Sequence, residues 1–211
     1  MAASSPPQPR TGIKEDVDRL KFERILNTAT ELFSKHGYTN CTMDNIAEAI
    51  GVTKPFIYYR FKDKSEILFA ICSRGANVTH ASIVAALEQE GSYTDRLASY
   101  CETFVKSVLE LADFIIIYKR EVSNLRPEDR KAIAETRRRT DELMQQLLTK
   151  GWEAGEFDPI EPAITASSIT GMLSFVVDWY RPHLGFTHDQ VVKTATQLAL
   201  RMAGARNPED R

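Results

Sequence analysis

Four cations, Lys54, Arg60, Lys62 and Lys64, fall within eleven residues against the single acid Asp63, with Phe56, Tyr58, Tyr59 and Phe61 between them. Ammonium and guanidinium groups beside tyrosine hydroxyls can grip phosphate oxygens. A charge surplus this short is equally a solvated surface, so charge alone does not decide its role. Chemistry of other kinds is poorly represented. The four histidines, His36, His80, His183 and His188, are scattered without metal-ligand spacing, and no nucleophile–base pair or phosphate-binding glycine loop is present. This argues against an enzyme and against a bound cofactor or metal. His183 and His188 flank Gly185 and are expected in a surface loop.

Cys41, Cys72 and Cys101 are odd in number, far apart and without a CxxC pair. That pattern suits a reducing compartment and provides no disulfide framework or zinc site, so the three are expected to be small buried hydrophobes. With 211 residues, 43% hydrophobic and 27% charged, the chain can build a core as one large or two modest domains. The net charge of -2 excludes a protein that coats nucleic acid over its whole surface. The balance is uneven. Residues 1–64 hold ten Lys/Arg against eight Asp/Glu, and residues 65–211 hold seventeen against twenty-one. No apolar run reaches the roughly 18 residues that span a bilayer, and the N-terminus has no apolar signal-like stretch, so a cytoplasmic protein with no membrane partner is expected.

Helical periodicity runs through the chain, with no period-2 alternation, and predicts an all-α fold of about nine helices. The opening MAASSPPQPRTG has three prolines and no apolar period, so 1–13 is expected to be a flexible arm and 206–211 a frayed tail. Phe22, Ile25, Leu26, Ala29, Leu32 and Phe33 paint one face of a first helix that Gly37 ends. Thr42 can cap a short second helix closed by Gly51, and Thr53 a third whose first turn accepts Pro55. Two helices joined through about three residues with a glycine at the bend form a helix-turn-helix pattern. A fourth helix is expected from near Asp63 to about Glu90, then helices at 93–111, 113–122, 127–152, 163–180 and 187–203, with Gly and Pro breakers between them.

The segment 42–68, TMDNIAEAIGVTKPFIYYRFKDKSEIL, resembles the DNA-binding signature of the TetR (tetracycline repressor) family. The matching residues are Thr42, Ile46-Ala47, Gly51-Val52-Thr53, Ile57-Tyr58, Tyr59, Phe61, and Lys64 with Leu68. Ile50 stands where alanine is more usual and Pro55 where glycine or alanine is common. The resemblance covers residues 20–68, and the remainder only as a helical domain of suitable length. It implies a helix-turn-helix domain over 14–64, with its motif about 42–61, and a ligand-binding and dimerisation domain over 65–205. The implied partners are a palindromic duplex operator, a second copy of the chain and a small apolar effector.

A recognition helix lies in the major groove while residues around it hold phosphates. Thr42 and Thr53 could offer hydroxyls to phosphate or simply cap their helices. Lys54, Pro55 and Phe56 are expected to point into the groove, with Ile57 a better core candidate than Phe56. Tyr58 and Tyr59 cannot both face inward. The family's pattern implies backbone contacts at both, at Arg60 and at Lys64.

In the second half, Ile164, Ile169, Met172, Phe175, Val176 and Trp179 give one helix an apolar surface wider than a single stripe, as packing on both its own domain and a partner copy requires. Aromatic residues at helical spacing are commonly core, but Phe104, Phe114, Tyr118, Trp152, Phe175 and Trp179 together could line a cavity. The stretches DFIIIYKREVSNL and DWYRP are similar to TetR-family regulators that sense acyl-CoA thioesters, which makes a thioester the first effector candidate. Arg137, Arg138 and Arg139 could meet its phosphates, though i,i+4 pairing with Glu135 and Glu142 explains them as well. A sensor of hydrophobic drugs and a helical protein-binding scaffold remain the alternatives.

Overall fold

The computed structural model describes residues 11–181, 183 and 185–206. The expected arm over 1–13 and tail over 206–211 lie mostly outside these residues; 11–13 are helical and belong to the first helix. Among the described residues there are nine α-helices and no strand. The helices divide into two compact units, Met1–Ile71 and Cys72–Arg211.

The first unit holds α1 (Thr11–His36), α2 (Met43–Ile50), α3 (Lys54–Tyr58) and the start of α4 (Lys64–Glu88). Local chemistry sets its boundaries. Thr42 accepts from the Asn45 backbone N–H at 3.1 Å, while the Asn45 side-chain oxygen accepts from the Thr42 N–H at 2.9 Å, a reciprocal cap on α2. Gly51, with φ 75°, reverses the chain in a left-handed conformation that a side chain would resist. Asp63 accepts from the Glu66 N–H at 3.0 Å and so starts α4. Ile25, Leu26, Phe33, Ile46, Ile57, Ile67, Leu68 and Ile71 are buried here. Because the first two turns of α4 belong to this core, the unit ends at Ile71 rather than at the expected 64/65 boundary.

By length and composition α4 is apolar enough to cross a bilayer, although it carries Glu66 and Arg74. A soluble core helix passes the same test, and Ile67, Leu68, Ile71 and Ile83 are fully covered by protein.

The second unit contains the rest of α4, α5 (Tyr93–Glu110), α6 (Ala112–Glu121), a short 3-10 turn (Val122–Asn124), α7 (Pro127–Glu153), α8 (Pro162–Trp179) and α9 (His188–Met202). The central helix is α5, packed against α6, α7, α8 and α9. Its core includes Leu97, Tyr100, Cys101, Phe104, Leu147, Phe157, Ile169, Leu173 and Ala199. Gly151 lets the chain fold back after α7: a Cβ there would lie 2.2 Å from the Phe157 ring. All three cysteines are free and buried.

Candidate nucleic-acid interface and ligand cavity

In the first unit, α3 is held by its one buried side chain, Ile57, and by the turn after α2, where the Val52 N–H donates to the Ala47 carbonyl at 3.0 Å. From α1, Arg24 donates to the Ile50 carbonyl at 2.8 Å. This fixing leaves Thr53, Lys54, Pro55, Tyr58, Tyr59 and Arg60 exposed, with Tyr59 at 84%. A large aromatic side chain so uncovered is doing nothing for the core.

The remaining residues of the set are engaged within the unit to different degrees. The Thr53 hydroxyl caps nothing, whereas that of Thr42 is tied to Asn45. Lys54 pairs with Asp44 at 2.6 Å, which raises its pKa, but both side chains are exposed and the pair can open at little cost. Phe56 is half-buried with the Lys21 ammonium 5.6 Å from its ring centre, and the Arg60 guanidinium stands 4.9 Å from that of Phe22.

Lys64 departs furthest from its expected role. Its ammonium donates to the carbonyls of Tyr38 at 2.7 Å, Cys41 at 2.6 Å and Thr39 at 3.3 Å. Three donors meet three acceptors, so this lysine joins the α1–α2 turn to the start of α4. Sequence reading missed it because nothing local links position 64 to position 38.

The second unit contains a cavity of about 550 Å³ bounded by α4, α5, α6, α7 and α8. Of the aromatic residues singled out from the sequence, Phe104, Phe114, Tyr118 and Phe175 line it. Trp152 and Trp179 do not. Trp152 sits at the last turn of α7, 53% exposed, and Trp179 at the end of α8, 44% exposed and edge-on to Tyr180. Both ring positions follow the helical period, but each helix turns that position outward where it ends.

Val108, Leu111 and Ile115 add apolar wall, and Ser107, Thr140, Ser167, Thr170 and Ser174 add hydroxyls. Thr140 donates to the Thr136 carbonyl at 2.9 Å and therefore accepts from His80 Nδ1 at 3.2 Å, linking the cavity wall to α4. Cys72 also lines the cavity, and burial pushes its thiol up to about 12.

Four charged side chains line the same cavity: Lys119, Arg137, Asp141 and Asp178. Lys119 is paired with Asp178. The guanidinium of Arg137 lies 4.5 Å from the Tyr118 ring centre, and among the described residues no carboxylate stands within ion-pair distance of it. Desolvation raises the Asp141 pKa, with Arg137 opposing that rise. The three consecutive arginines thus divide. Arg138 and Arg139 are pinned to Glu135, at 2.7 and 3.1 Å, and hold its carboxyl at about 2, while Arg137 faces the cavity.

The two-sided character expected of α8 is present: Ile169 and Val176 are buried, whereas Ile164, Phe175 and Trp179 are exposed at 68%, 60% and 44%. These three, with Ser168 and Gly171, recur at three or four residues and form one uncovered face. Leu198 on α9 is also exposed.

Comparison with known proteins gives the same division of the chain. Residues 25–71 match bacterial regulatory proteins of the tetR family, and residues 90–203 match a tetracyclin repressor-like C-terminal domain. The uncharacterized HTH-type transcriptional regulator YfiR of Bacillus subtilis (strain 168) is 26% identical over 157 residues, 72% of this chain and 75% of its own. A bacterial regulatory protein in the tetR family from Rhodococcus RHA1 superposes with a TM-score of 0.76 at 28% identity, covering 89% of this chain and 98% of that one. AibR, solved in complex with isovaleryl coenzyme A and operator DNA, shares the fold with a TM-score of 0.71 at 22% identity, over 88% of this chain and 100% of that one.

Proposed function

This chain belongs to the TetR family of bacterial transcriptional regulators, and on that premise we propose that it is a repressor whose dimer leaves a palindromic operator when a mostly apolar, anionic ligand enters the second unit, with an acyl-CoA thioester as first candidate. That it is a DNA-binding regulator follows from the family; its relatives are regulators and not enzymes. Operator symmetry, ligand class and the contacting residues are the proposal's own content.

The observation that carries the ligand class is Arg137, an exposed cavity cation over the Tyr118 ring that, among the described residues, makes no ion pair and only acts at longer range on Asp141. An apolar cavity suits an acyl chain, and a guanidinium at its exposed edge suits a phosphate or carboxylate. AibR's complex with isovaleryl coenzyme A supports a thioester. A cationic drug is less well served, since Asp178 is already neutralised by Lys119 and Asp141 faces Arg137.

In the DNA-bound dimer, Thr53, Lys54, Pro55 and Phe56 approach base edges and adjacent phosphates, while Tyr58, Tyr59 and Arg60 hold the backbone. The exposed face of α8, together with α9, meets its copy in the partner. Ligand acts through α4, whose first turns belong to the DNA-reading unit and whose later turns line the cavity. Such a switch works only through different ligand affinities for the two α4 settings, and by linkage DNA must weaken the ligand equally.

Selection from random duplex DNA would supply the operator. Acyl-CoA thioesters, free acids and cationic drugs are then titrated against the complex. Release by thioesters, weakened in Arg137→Gln, is the expected result, and release by drugs alone overturns the ligand class.

A further inference from the structure

Of the charged side chains that line the cavity, one pair is satisfied and one is not. Lys119 on α6 pairs with Asp178 on α8. Arg137 and Asp141 stand four residues apart on α7, both line the cavity and both are exposed, yet among the described residues they make no ion pair. The spacing is not the obstacle, because Arg138 and Glu142 pair at the same interval on the same helix. Arg137 lies instead over the Tyr118 ring, 4.5 Å from its centre. Asp141 is left without a hydrogen-bond donor among the described residues, and its neighbour Thr140 donates elsewhere, to the Thr136 carbonyl. Partial burial raises the Asp141 pKa while the Arg137 charge opposes that rise. The carboxylate is thus drawn from water with no protein group in its place.

We propose that Arg137 and Asp141 form a two-point site at the edge of the cavity, Arg137 taking an anionic oxygen of the effector and Asp141 a neutral N–H or O–H beside it, so that the effector is an anion bearing an amide or hydroxyl close to its charge. This rests on the cavity being the effector site. Four residues of helix rise about 6 Å, which sets the separation of the two groups on the ligand. A carboxylate accepts and cannot donate, so its partner must carry a hydrogen, and such charge-assisted bonds are among the stronger ones. The donor is neutral because a cation at Asp141 would stand in the repulsive field of Arg137. A plain fatty acid or alkyl sulfate satisfies Arg137 alone. A coenzyme A thioester satisfies both residues, since a hydroxyl and an amide follow its pyrophosphate within a few bonds, and its acyl chain suits the wall of Phe104, Val108 and Leu111.

The test uses the full-length protein and calorimetry with two anionic probes of equal chain length, octanoyl-CoA and octyl sulfate, the second having no hydrogen to donate. Asp141→Ala keeps α7 intact, alanine being the best helix former. It should weaken octanoyl-CoA about threefold to tenfold, the size of one hydrogen bond. Octyl sulfate should bind that variant as tightly or more tightly, because a negative charge near the bound anion is gone. Arg137→Gln should weaken both probes. Octanoyl-CoA binding that is unchanged or strengthened in Asp141→Ala overturns the two-point site and leaves the cavity as an anion site. Equal weakening of both probes makes Asp141 a structural residue and also overturns it, as does binding of octyl sulfate alone to the wild type. If neither probe binds, or Arg137→Gln changes neither, the cavity as effector site fails together with the two-point site.

Discussion

The Lys64 ammonium donates to the Tyr38 carbonyl at 2.7 Å and stands 4.2 Å from the centre of the same residue's ring. With the Cys41 and Thr39 carbonyls it closes the α1–α2 turn onto the start of α4. Lys64→Met should therefore lower the stability of the protein by about 1–3 kcal/mol and weaken binding to every DNA sequence alike. The salt dependence of binding should keep its slope. A phosphate-bound cation would instead take about 0.9 from that slope when removed, and such a loss, measured by fluorescence anisotropy across a salt series, would reassign Lys64 to the DNA.

Thr42 and Thr53 both precede short helices, yet only Thr42 caps through its side chain. Thr42→Ala is expected to cost about 1 kcal/mol in urea unfolding. Thr53→Ala should leave the unfolding midpoint where it was and lower operator affinity. Equal loss of stability in the two variants would mean that Thr53 serves the fold after all.

The exposed row of Ile164, Phe175 and Trp179 on α8 is expected to be covered by its copy in a dimer. A carboxylate there would be buried unpaired on both sides of a two-fold axis, a severe cost. Light scattering of Ile164→Glu and Trp179→Glu should show monomers with near-wild-type helicity, and operator binding should fall with the dimer. A variant that stays dimeric would place the interface elsewhere.

Burial holds the thiols of Cys72 and Cys101 at about 12, above the ordinary 9.0. Because the folded pKa is raised, their stabilising contribution is complete below about pH 9 and is lost as pH rises towards 12. Alkaline unfolding should begin in that window, and Cys72→Ser should change its pH dependence. Alkylation of native Cys72 should keep rising with pH to at least 10, where an ordinary exposed thiol levels off near its own pKa. A plateau near pH 9 would show that the thiol is solvated.

Much of the fold was legible because helix ends are written locally. Thr42, Gly51 and Pro55 each act within four residues and mark the ends of α2 and the start of α3 at the expected places, although the Thr53 hydroxyl does not form the expected cap. Apolar periodicity likewise showed α8 to be apolar over more than one stripe, and the structure divides that surface into buried Ile169 and Val176 and uncovered Ile164 and Phe175. The packing side of α3 was also accessible from sequence, where Ile57 is the better core candidate than Phe56, and Ile57 is the buried residue of that helix.

Tertiary structure alone decided which of several equivalent side chains took each role. Periodicity places Trp152, Trp179 and Phe175 on helices but cannot say which neighbour each face meets, and only Phe175 reaches the cavity. Arg137 differs from Arg138 by about 100° and from Arg139 by about 200° of rotation around α7, enough to exchange Glu135 for the ring of Tyr118. Lys64 meets carbonyls some 25 residues earlier in the chain. Sequence determines helices through interactions within one or two turns, whereas a cavity arises between helices, where the separation along the chain carries no record of the distance in space.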